Sequence, residues 1–137
     1  MPKVINRLFP LVLSVGALLI LGLMVEGILA FSNHRIAQAA LDEAARAAAT
    51  AVEVVESEGG PLLELRLSDT EDQPSAYTLA ERALGPAVSR VALTEVVSDG
   101  NQVIVRGWIT SPTVFLRFIG WPAFNYPLIS SASLTPP

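Results

Sequence analysis

Eighteen consecutive residues, Leu8 to Val25, carry no charge, and no other feature restricts the fold of this 137-residue chain as much. As a helix rising 1.5 Å per residue the run spans about 27 Å, close to a hydrocarbon core of roughly 30 Å. Pro10 falls in its first turn, where a missing N–H does little harm. Lys3 and Arg7 precede the run, and all thirteen acidic residues follow it. The positive-inside rule therefore places the N-terminus in the cytoplasm and the remainder outside. A cleaved signal peptide is the alternative, but its apolar region is ordinarily 7–15 residues long. The best small-residue cleavage site, Ile28-Leu29-Ala30, has an unsuitable Ile three positions before the cut. A retained anchor is expected.

Glu26 interrupts the apolar stretch, which resumes from Gly27 to Asn33. A carboxylate in hydrocarbon costs a few kcal/mol and calls for a reason. Either the span ends at Val25 and Glu26 lies among headgroups, or Glu26 meets a cation on a partner helix. Gly16 and Gly22 are flat spots for a neighbouring helix, though six residues apart they form no GxxxG motif.

Nine of the fifteen residues from Ala37 to Ala51 are alanine, the strongest helix former. Ala37, Ala40, Leu41, Ala44, Ala48 and Val52, with Val55, share one helical face. Gln38, Asp42, Arg46, Thr50 and Glu53 lie opposite, with Asp42 and Arg46 an i,i+4 pair. The stop signal is Glu58-Gly59-Gly60-Pro61, so one rod is expected from near Ile5 to near Ser57. Its alanine face is narrow and buries little by itself, so it must dock on its own C-terminal domain or on neighbouring subunits. His34 and Arg35 then stand just outside the membrane as interfacial polar residues.

The C-terminal half reads as strands with one helical insertion. Leu63, Leu65 and Leu67 alternate with Glu64 and Arg66 as a short strand. An acidic loop follows at residues 69–74. Ser75 is placed to cap a helix over Ala76–Leu84 that ends at Gly85-Pro86. Arg90–Ser98 and Gln102–Thr110 form a hairpin about Asp99-Gly100-Asn101. Val114–Ile119 is a short helix or a buried loop. The aromatic group at residues 121–126 is a binding patch, part of the core, or a surface resting on the membrane. Leu128–Leu134 forms a last strand, before Pro136-Pro137.

Composition narrows the chemistry. With no cysteine and one histidine, thiolate catalysis, disulfide scaffolds, Cys-based zinc sites and most His-dependent chemistry are excluded. A net charge of −4 argues against a nucleic-acid partner. The acidic loop lacks the Gly and spaced Glu of an EF-hand, and no phosphate loop or metal-ligand spacing occurs. No catalytic, cofactor or metal residues are therefore assigned.

The stretch LMVEGILAFSNHRIAQAALDEAARAAATA combines an apolar span ending in Glu with an Ala-rich helix bearing paired alanines and an Arg. Ser111-Pro112-Thr113-Val114-Phe115-Leu116 follows the Val-rich hairpin, with Gly120 shortly after. In these features the chain resembles the TadE/TadG-like proteins, pilin-like subunits associated with bacterial tight-adherence (Flp-type) pili. The resemblance implies a non-enzymatic minor pilin or pseudopilin that helps assemble the pilus or a related secretion apparatus. It implies an inner-membrane, single-pass location and contacts with pilin-like subunits, platform proteins and the lipid bilayer, within a homo- or hetero-oligomer. Glu26 is carried over as a family feature with its role open. One departure stands: no Gly–Glu arrangement of a prepilin-peptidase site precedes the span, so that cleavage is not expected.

The expectation is an α+β protein in which a membrane helix continues into an alanine-rich extension packed on a small antiparallel sheet. Its parts are a cytoplasmic N-terminus (1–7), a transmembrane helix (8–31), a stalk helix (32–58) and a β-rich domain (59–137). Assembly is the leading function, and a membrane-anchored ligand-binding or sensor module is the alternative.

Overall fold

The computed structural model describes residues 2–85 and 91–136, with side chains from residue 6 onward. Pro86, Arg90 and Pro137, used above as boundaries, lie outside the described residues. The chain is α+β. Helix α1 runs unbroken over Pro2–Ala48, 47 residues and about 70 Å long. Its apolar part has a mean hydropathy of 2.6, and the helix is long and apolar enough to cross a membrane.

Helix α1 ends at Ala48, short of the Ser57 expected from sequence, and strand β1 (Val52–Ser57) follows. Three of the four residues 52–55 are Val, whose branched Cβ is stiff in a helix and favoured on a pleated surface. The Gly59-Gly60 signal turns a hairpin into β2 (Gly60–Leu65) instead of stopping the helix, with Ser57 opposite Gly60. Tertiary partners satisfy carbonyls just past the helix end. Thr135 N–H donates to the Ala49 carbonyl and Arg66 N–H to that of Ala51.

Helix α2 spans Ala76–Leu84, and the Ser75 hydroxyl accepts from Thr78 N–H as its N-cap. Strands β3 (Val91–Asp99), β4 (Gln102–Pro112) and β5 (Ala123–Ser133) form an antiparallel sheet with β4 in the centre. The β3–β4 loop has two residues, and Gly100 at φ +62 takes the left-handed conformation a type II′ turn requires at its first position. Pro127, which cannot donate to a ladder, stands in edge strand β5.

One core joins these parts. Val103, Val105 and Ile109 of β4 and Leu128 of β5 face α1, while Ala76, Ala80 and Leu84 of α2 pack on it from another side. From α1 the core receives Ala37, Leu41, Ala44, Ala45 and Ala48, all buried, with Ala40 half-buried. Side chains this small let sheet and helix approach closely. Val52 is buried in the same core, from β1 rather than from the helix.

Candidate functional site

The buried face of α1 continues toward the N-terminus beyond the alanines. Moving down the helix from Ala37 by three and four residues leads through half-buried Asn33 and Ala30 to Glu26 and Gly22, both buried. Strand β5 runs beside this face in the same direction as the helix. The His34 ring lies 5.6 Å from that of Tyr126, the Gln38 amide donates to the Ile129 carbonyl at 3.2 Å, and the Ser130 hydroxyl donates to Asp42. Asn33 donates to the Ser111 hydroxyl at the lower end of β4, 3.0 Å away.

Beyond Ser111 the chain descends to the apolar span and returns. Residues 113–122 include a 3₁₀ helix over Leu116–Ile119, ended by Gly120 at φ +90. Phe115, at its N-cap, offers no side-chain acceptor to the N–H groups there. Glu26 supplies one. Its Oε1 accepts from Val114 N–H at 2.8 Å and its Oε2 from Phe115 N–H at 2.7 Å. The Phe115 ring covers Gly22, one turn away on the helix, and a Cβ built there would stand 3.2 Å from Phe115 Cγ. The acid that looked out of place in the apolar stretch thus has a partner within its own chain. That partner is the backbone of Val114 and Phe115.

Ala37, Ala40, Leu41, Ala44 and Ala48 meet the chain's own sheet and α2. Gly22 is taken up by Phe115, while a Cβ at Gly16 would meet nothing. Arg46 forms its ion pair with Glu43, at 3.2 Å on the exposed side, and reaches Asp42 only through the attraction of its charge. Asp42 turns inward instead, and hydrogen bonds from Ser130 and Gln38 hold its carboxyl below the ordinary range against the opposing effect of burial. Asp69, in the acidic loop, accepts from Ser75 N–H at 2.7 Å and the Thr78 hydroxyl at 2.8 Å, and these bonds lower its pKa. Burial raises that of Tyr126. His34, read from sequence as an interfacial polar residue, packs its ring on that of Tyr126.

Among the described residues no three His, Asp or Glu side chains converge as a metal site. One groove, lined by Asp42, Arg46, Ala49, Ser131, Ser133 and Thr135, opens broadly to solvent. It lacks the enclosed apolar walls of a small-molecule site. The Glu26 clasp went unread in the sequence because its donors are main-chain groups 88 and 89 positions away. The available signal was the spacing of Gly22, Glu26, Ala30 and Asn33, which extends the alanine face.

The architecture defines a class: an α+β protein in which one long apolar helix carries a small domain folded against its outer half. Residues 8–51 match the family model described as "Putative Flp pilus-assembly TadE/G-like". The match bears out the resemblance over α1 and associates the chain with Flp/Tad-type pilus assembly. No curated protein and no solved structure matches the chain.

Proposed function

We propose that this chain is a non-enzymatic, minor-pilin or pseudopilin-like subunit that assists assembly of a Flp/Tad-type pilus or a related secretion apparatus. The observation that carries this reading is the family match at residues 8–51, which coincides with the apolar span and the alanine-rich extension. Residues 8–31 lie in the bacterial inner membrane, with the N-terminus in the cytoplasm and the sheet domain outside. The span packs against helices of pilin-like or platform proteins, and the sheet domain docks on partners beyond the bilayer. Support comes from the side chains of the span, which are exposed along nearly its whole length with only Gly22 and Glu26 buried.

The test is affinity capture of the full chain from its native membrane in mild detergent. Recovery of pilin-like or platform proteins of the same pilus system supports the assembly role. Recovery of the chain alone, with pili made normally by a deletion strain, refutes it and leaves the sensor reading in its place.

A further inference from the structure

We propose that the loop at residues 113–121 is a second, non-spanning membrane anchor, seated in the outer leaflet beside α1 and clasped there by Glu26. The inference rests on α1 being a membrane span, and goes beyond the assembly role in assigning the loop a lipid contact.

Depth is the first argument. Phe115 lies on Gly22, inside the uncharged run and about 6 Å closer to the bilayer centre than Glu26. If Leu8–Val25 crosses the hydrocarbon, the Phe115 ring is at hydrocarbon level too. Lipid is therefore continuous from the bare side of the helix to the loop.

Surface chemistry is the second. Phe118 and Ile119 are 83% and 76% exposed, the two most exposed large apolar side chains among the described residues. Val114, Phe115 and Trp121 extend the patch at 46%, 45% and 54%. A contiguous apolar surface of this kind marks an interaction site. Trp121 has the amphipathic ring favoured at headgroup level, and Arg117, the one charge in the loop, is exposed and long enough to reach phosphates.

The backbone provides the third argument. Irregular chain is tolerated at membrane depth only where its polar groups are satisfied by protein. Val114 and Phe115 donate to Glu26, Phe118 to the Phe115 carbonyl, Gly120 to Arg117 and Trp121 to Leu116. Thr113 donates its N–H to Pro122 and its hydroxyl to the Trp121 carbonyl. Closing these N–H groups with a carboxylate meets the requirement that lipid imposes, and the acid in turn needs donors at that depth.

The two tryptophans permit a direct test. Full-length Trp108→Phe, whose only indole is Trp121, and Trp121→Phe, whose only indole is Trp108 on the sheet, are each reconstituted into phosphatidylcholine–phosphatidylglycerol vesicles. The vesicles carry bromine near the headgroup end of the acyl chain. A third variant, the span reporter, combines Trp108→Phe and Trp121→Phe with Leu18→Trp, so that its only indole lies in the span, and is read with deeper bromines. The expected result is Trp121 quenched several-fold more than Trp108, with the span reporter quenched by the deep label. If the span reporter is quenched but Trp121 is not, the loop anchor is overturned while the span stands. An unquenched Trp121 that is also shielded from iodide places the patch against a second copy of the chain, the only other protein in the vesicle, and overturns the lipid contact. If the span reporter is unquenched, the span reading falls and the anchor with it.

Discussion

Glu26 and Gly22 stand one helical turn apart, and the loop needs both. Replacing Glu26 by Ala leaves Val114 N–H and Phe115 N–H without their acceptor, at a cost of about 1–3 kcal/mol for each buried donor. The loop should detach before the sheet domain unfolds. In detergent-solubilised full chain, trypsin is expected to cut after Arg117 faster in Glu26→Ala than in the native protein, and Gly22→Leu should do likewise by displacing the Phe115 ring. Equal cleavage rates would show that the clasp does not hold the loop. Asp42 works at the same scale. Its carboxyl is held below its ordinary value near 3.8 in the fold, chiefly by Ser130, so its contribution is fully present above that value. It fades as pH falls through the lower, folded value. Denaturation of native chain and Asp42→Asn across acid pH should therefore show a stability gap that closes as pH drops below about 4. A gap constant down to acid pH would mean that the charge on Asp42 plays no part.

The elements differ in how far local residues announce them. Helix α2 was legible in full because Ser75 caps it and Gly85 follows it, and the β3–β4 hairpin because Gly100 stands at its turn. The far end of α1 was not, since alanine propensity and the Val52–Val55 strand preference meet within four residues. Only pairing with β2 decides the contest. The lower end of the buried face was hidden for another reason: Gly22 and Glu26 look like span residues until the loop that covers them is in place. The alanine pattern marked a docking face without deciding its occupant, and in the fold the chain's own sheet and α2 lie on it. Ala44 is 0% exposed, so Ala44→Glu must bury an unpaired charge or push the sheet away, a loss of several kcal/mol. Ala39, exposed on the same helix, is the control, and its replacement by Glu should stay within about 0.5 kcal/mol. Thermal melts of both full-length variants in detergent check this, and matching midpoints would show that the alanine face is not the seat of the domain.

At the scale of the whole molecule, folding the domain onto α1 leaves one side of the rod for others. The face running from Gly22 to Ala48 is occupied by the chain's own loop, sheet and second helix. The span's other faces remain, together with a stripe on which Ile28, Phe31 and Ile36 are 66%, 64% and 54% exposed. A neighbouring helix in the proposed assembly must therefore approach from that side, where the side chains are large and lie at i, i+3 and i+8. The chain has no cysteine, so single cysteines can be introduced without a background. Ile28→Cys and Ile36→Cys should cross-link to a second subunit in native membranes, while Ala44→Cys, enclosed by its own sheet, should not. Were Ala44→Cys to cross-link and the other two fail, the sheet domain would have to swing off the helix during assembly. The closed arrangement would then be the resting form, with the alanine face serving as the partner surface that the domain covers until a subunit arrives.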